Sequence, residues 1–208
     1  MKSNSGAIRG LAIGITGGIA CGKSEVARAF SALGAETADA DVLAHEAIRP
    51  GEPAYDRVVA RFGREIVGPG GEVDRRRLGE VVFQRPAERA ALEAIIHPEV
   101  IKALKQWVNE VTARGAYAAA TVPLLYEVNL VNLWDSVVCV RAPVELVIRR
   151  LRARGLTEEM AKARIAAQMP VEEKAKKADY VIENSGSLQE LSEQARSVWN
   201  DLLRKGAQ

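Results

Sequence analysis

Residues 17–24 read GGIACGKS, the pattern G-x-x-x-x-G-K-[ST]. Glycines allow successive backbone N–H groups to turn to one side and form a nest for an anion, and a following helix adds its positive end. Such a loop suits a nucleoside triphosphate. Lys23 is placed to reach the β- and γ-phosphates, and the Ser24 hydroxyl is placed to ligate Mg²⁺. The expected nucleotide contacts are therefore Gly18, Ala20, Cys21, Gly22, Lys23, Ser24 and Glu25. A thiol at Cys21, beside a helix N-terminus, raises the further expectation of a lowered pKa and a reactive sulfur, against the plainer reading that only its backbone amide matters.

A phosphate loop fixes the nucleotide and leaves the reaction open. Guanine-specific switches carry N-K-x-D and D-x-x-G, and neither pattern occurs in this chain. Their absence favours a kinase with a small acceptor over a nucleotide-dependent switch. Asp39 and Asp41, in "DAD", follow a short strand and lie where an acceptor hydroxyl would approach. Asp41, further along the chain, is the candidate base that accepts the hydroxyl proton. Asp39 is either a partner of the Mg²⁺ water shell or a helix cap. In "PLLYE", Pro123 removes a ladder donor, Leu124 follows it, and Tyr126 offers an aromatic wall to a base. Glu127 reads equally as a ligand contact or a helix start. Arg150 and Arg154 are four apart, on one face of a helix, and two guanidiniums there suit a transferring phosphoryl group. A solvated basic face is the plainer alternative.

The elements that must position these residues follow from periodicity. "LAIGIT" (11–16) is a continuous apolar run, as in a strand buried on both faces. Helical spacing runs from Lys23 to about Leu33, and "GAETADAD" (34–41) reads as a turn and a second strand. Strand, helix and strand in that order predict parallel pairing. Residues 42 to about 114 carry five helical stretches separated by Pro and Gly. Strand pattern returns over 117–127 and 136–142, helices over 143–155 and 157–169, a strand from 178, and a terminal helix over 188–205. The expected architecture is α/β: a parallel sheet of about five strands flanked by helices, with a helical insertion.

Bulk composition narrows the class. The 208 residues are 48% hydrophobic, 5% aromatic and 27% charged, with a formal net charge of +2. That is enough for one ordinary core and too balanced for a protein that coats nucleic acid. Two cysteines, Cys21 and Cys139, argue against a disulfide framework or a C-x-x-C metal site. No secretory-type apolar run opens the chain and no stretch is long enough for a membrane span, so a cytoplasmic protein is expected, with a monomer favoured.

"TGGIACGKS", "DAD", "VDRRRL…VVF" (73–83), "HP" (97–98), "VPLLYE", Arg150 with Arg154, Gln168, Lys174 and "ADYVIEN" (178–184) together resemble the dephospho-coenzyme A kinases, over nearly the whole chain. The loop alone is shared by many families, but its combination with the other pieces in this order is far more specific. The resemblance implies the P-loop kinase fold and ATP-dependent phosphorylation of the ribose 3′-hydroxyl of dephospho-coenzyme A, the last step of coenzyme A synthesis. It also implies a nucleotide-binding core (1–41, 115–148 and 178–208), a helical acceptor domain (42–114) and a lid (149–177). By matching position, Asp41 becomes the base, Arg75 and His97 belong to the acceptor side, Arg150 and Arg154 to the lid, and Asn184 to the adenine site. Another small-molecule kinase, acting on a nucleoside, nucleotide or sugar, is the alternative. Ala20, Cys21 and Glu25 stand where the family commonly has Gly, Ser and Thr. Ala20 fits such a loop only where its backbone does not need a positive φ.

Overall fold

The computed structural model describes residues 10–83 and 85–206. Five strands, β1 (Ala12–Gly17), β2 (Glu36–Asp39), β3 (Ala118–Thr121), β4 (Ser136–Arg141) and β5 (Tyr180–Glu183), form one sheet in the order β2-β3-β1-β4-β5. Every pairing is parallel, and β1 is central, with Ile15 opposite both Thr121 and Val138. All six residues of β1 are buried, as its unbroken apolar run predicts for a strand covered on both faces.

The first compact unit comprises the residues up to Asp39 and those from Val108 onward. In it, α1 (Lys23–Ala32) packs on α9 (Leu188–Gly206). The Phe30 and Trp199 ring centroids lie 5.4 Å apart, and Tyr117 meets Trp199 edge-on at 5.2 Å. Phe30 is fully buried, worth about 1.5–3 kcal/mol in transfer terms. The remaining helices of this unit are α6 (Val144–Ala153), α7 (Glu158–Ala166) and α8 (Val171–Lys177).

The second unit, Ala40–Trp107, is helical. It contains α2 (Ala40–Glu46), α3 (Tyr55–Phe62), α4 (Arg75–Phe83) and most of α5 (Pro86–Ala113). Its own core gathers Ile48, Ala54, Val58, Phe62, Ile66 and Leu78. Asp74 caps α4 by accepting from the N–H groups of Arg76 (2.9 Å) and Arg77 (3.2 Å), and these bonds hold its carboxyl below the usual range.

Three sequence expectations are corrected. The strand read over 117–127 is a strand only over Ala118–Thr121. Val122 makes one last sheet bond, to Ile15 O, and Pro123 brings no N–H to continue the ladder, so the chain turns. The two helical stretches either side of Pro98 are a single helix, α5, with Pro98 inside it. Arg154 is not on the helix that carries Arg150. That helix ends at Ala153, Arg154 is its C-cap, and Gly155 takes φ 88°. The bonds Leu156 N to Leu151 O and Gly155 N to Arg152 O complete a Schellman closure. Among the described residues no helix is long and apolar enough to cross a membrane.

Candidate active site

The loop between β1 and α1 is built by backbone geometry that side chains rarely tolerate. Gly17 has φ 138°, and a Cβ there would sit 2.0 Å from Val140 O. Gly22 has φ 101° and precedes α1 as its N-cap, with no side chain bonding the cap. No side chain therefore caps the N-terminus of α1, and a helix N-terminus next to a glycine loop suits an anion. Ala20 also lies in the left-handed region, at φ 55°. The condition set for this alanine therefore fails: the position needs a positive φ, at a cost of about 1–2 kcal/mol for a residue with a Cβ. Lys23 Nζ donates to Gly18 O at 2.8 Å and Gly17 O at 3.2 Å, which draws its ammonium back over the loop. Ser24 is exposed in the first turn. Glu25 is forked by Arg28, so its carboxylate is engaged along the helix. Cys21 is buried, and burial pushes its thiol up, outweighing the pull of Lys23. The expected low pKa is overturned: desolvation wins over the helix end.

Two distant segments meet the loop. Arg150, on α6, donates to Ala20 O and, through its other terminal nitrogen, to Asn184 Oδ1, both at 3.1 Å. Asn184, just past β5 and 3% exposed, donates from Nδ2 to Cys21 O at 2.8 Å. Arg154 is exposed. Gly18, Ile19, Cys21, Val147 and Val171 border a cavity of about 70 Å³, where Gln168 contributes a buried Oε1 with no partner among the described residues.

"PLLYE" acts largely through one carbonyl. Pro123 O accepts from Lys174 Nζ at 2.6 Å and Thr16 Oγ1 at 3.4 Å. Lys174 is fully buried on α8, and its second partner is Glu127 Oε1 at 2.7 Å. Glu127 also accepts from Met169 N, so it ties the segment before α8 to the turn after β3. Leu124 is half-buried in that turn. One face of the Tyr126 ring lies under Lys177, 5.7 Å from the centroid, and burial pushes the phenol up to about 12. Replacing Lys174 by methionine leaves Glu127 without its cation. Because the Glu127 side chain is 23% exposed, the loss should fall at the low end for a broken buried pair, about 3 kcal/mol. That lowers Tm by about 6–12 °C for a chain of this size. An unchanged melting curve would show that the pair holds nothing.

In the helical unit, Arg75 begins α4 and lines a cleft of about 360 Å³ with His45, Ile48, Arg49, Glu72 and Val73. Two arginines and a histidine against one glutamate favour an anionic ligand. Asp41 is exposed in the first turn of α2, four residues before His45 on the same helix, and Asp39 closes β2 opposite Thr121. His97 is half-buried within α5 and is not among the residues lining that cleft.

The dephospho-CoA kinase family model matches residues 11–190. The chain belongs to that family. A dephospho-CoA kinase from Carboxydothermus hydrogenoformans is 42% identical over 200 residues, covering 93% of this chain and 97% of the relative. Among solved structures, a Thermus thermophilus protein superposes with TM-score 0.75 at 38% identity, over 93% of this chain and 98% of its own. The dephospho-CoA kinase from Campylobacter jejuni gives 0.66 at 27%, over 94% and 98%. In this family member, sequence reading missed His45, Arg49 and Glu72. The i, i+4 spacing of Asp41 and His45 was the available signal for the first. For Lys174, a lysine in a run of charges gave no hint of burial.

Proposed function

We propose that the protein transfers the terminal phosphoryl group of ATP to the ribose 3′-hydroxyl of dephospho-CoA, giving CoA and ADP. The observation that carries this is the GGIACGKS loop, with its positive-φ turns, between β1 and α1 of a chain that matches the family from residue 11 to 190. The bond between the terminal phosphorus and the ADP oxygen breaks, a bond to the 3′-oxygen forms, and the hydroxyl proton passes to Asp41. Lys23 and the loop amides hold the triphosphate, and Arg150 and Arg154 supply positive charge to the phosphoryl group in transit. The helical unit forms the acceptor side, where Arg75, His45 and Arg49 suit the diphosphate of the acceptor, and residues 149–177 form the lid. Asn184 lies on the adenine side.

Magnesium fits the oxygen donors present. The Ser24 hydroxyl would hold it and Asp39 would bind its water shell, which suits an ion carried mainly by phosphates and water. When bound, the ion neutralises phosphate charge. Two free, buried thiols favour a reducing compartment, the cytoplasm.

The test is ADP release with ATP alone, then with dephospho-CoA, nucleosides, nucleotides and sugars. Release that requires dephospho-CoA supports the reading. Slow hydrolysis that no acceptor changes would mean a switch, and a response to another acceptor a different kinase.

A further inference from the structure

We infer that Arg150 and Asn184 are positioning residues that brace the phosphate loop, fixing the peptide orientations that aim its N–H groups at phosphate and holding Ala20 where glycine would need no help. The inference rests on the reading that the loop holds a triphosphate. Ala20 O and Cys21 O are consecutive carbonyls, and each has one long-range donor, the Arg150 guanidinium and the Asn184 amide. The two donors are joined to each other, Arg150 Nη2 to Asn184 Oδ1. A planar trans peptide points its N–H opposite to its C=O. Holding these carbonyls toward α6 and β5 therefore turns the N–H groups of Cys21 and Gly22 the other way. The Cys21 N–H closes a 3.3 Å contact to Gly18 O, which curls the loop.

The brace itself is held in place. Asn184 N donates to Arg141 O at 2.8 Å, so the amide is anchored at the end of the β4–β5 ladder. It is also close-fitted: a Cβ on Gly22 would lie 2.2 Å from Asn184 Nδ2. Ala20, with φ 55°, carries the first of the braced carbonyls, and an alanine released from the brace drifts to negative φ. Glycine populates both signs of φ and depends less on the brace.

The experiment is a double-mutant cycle in the full chain. Arg150→Met keeps the aliphatic stem and Asn184→Leu keeps the approximate volume, and each is made alone and with Ala20→Gly. Calorimetry measures binding of a non-hydrolysable Mg-ATP analogue without acceptor and, separately, of dephospho-CoA. Hydrogen exchange follows the amides of residues 18–24 in nucleotide-free protein. Each single variant should weaken the analogue about tenfold, the size of one lost charge-assisted hydrogen bond, and leave dephospho-CoA affinity unchanged. Loop exchange should rise. In the Ala20→Gly background the loss should shrink to about threefold or less, because the two sites are coupled. Equal losses in both backgrounds would overturn the brace and leave Arg150 as a charge alone. Unchanged loop exchange would also overturn it. Wild-type protein that binds no analogue would defeat the functional reading instead, and loop exchange would still judge the brace. Should Asn184→Leu fail to fold, Arg150→Met, at a half-exposed side chain, carries the same cycle.

Discussion

Asp41→Asn protein binds ATP with wild-type affinity and transfers phosphate about 10²- to 10⁴-fold more slowly, the range for losing a positioned general base. Asparagine is nearly isosteric and can still hydrogen-bond the acceptor hydroxyl, but it cannot take the proton. The expected loss therefore falls on kcat, with the KM for dephospho-CoA moved little. Asp41 lies in the first turn of α2 and is exposed, so the substitution removes no core packing. Rapid-quench single turnovers, with ATP affinity measured in parallel, check this. Turnover close to wild type would remove Asp41 from the chemistry.

Lys23→Ala should impair both binding and transfer. The ammonium is held by the Gly17 and Gly18 carbonyls of the loop, and Lys23 is itself the first residue of α1. Losing its charge-assisted bonds weakens ATP by about 10- to 100-fold. The transition state gathers charge on the same oxygens, so kcat falls by a further factor of about 10² to 10³, as when another preorganised donor is removed. Dephospho-CoA binding measured without nucleotide stays unchanged. A variant with normal ATP affinity would show that the loop amides suffice without the lysine.

The loop was legible because its information is local: eight consecutive residues fix the turns, the helix start and the cation. β1 was legible because a strand buried on both faces needs an unbroken apolar run, and LAIGIT supplies one. Long-range partnerships left no such trace. Asn184 reaches Cys21 across 163 positions and Arg150 reaches Ala20 across 130, and neither spacing is periodic. Lys174, which entered only as part of the family resemblance, sits in the charged run EEKAKK, yet it is fully buried, and Pro123 O and Glu127 satisfy it. The paired reading of Arg150 and Arg154 failed on one residue, Gly155, whose left-handed φ closes the helix before Arg154 joins it. Pro98 misled in the opposite direction. It withholds one N–H from the carbonyl of Ala94, an exposed position where water can replace the bond, so α5 continues through it. At Cys21, the sequence shows proximity to a helix end and hides the burial that decides the pKa.

The central claim is that the loop grips the triphosphate while Asp41 steers the incoming hydroxyl, and a crystal structure with dephospho-CoA and a non-hydrolysable ATP analogue tests it most directly. The account predicts the analogue's phosphates on the amides of residues 18–24, with the Asp41 carboxylate within hydrogen-bond distance of the ribose 3′-oxygen. An Asp41 side chain turned to bulk water, away from the acceptor's sugar, would contradict it.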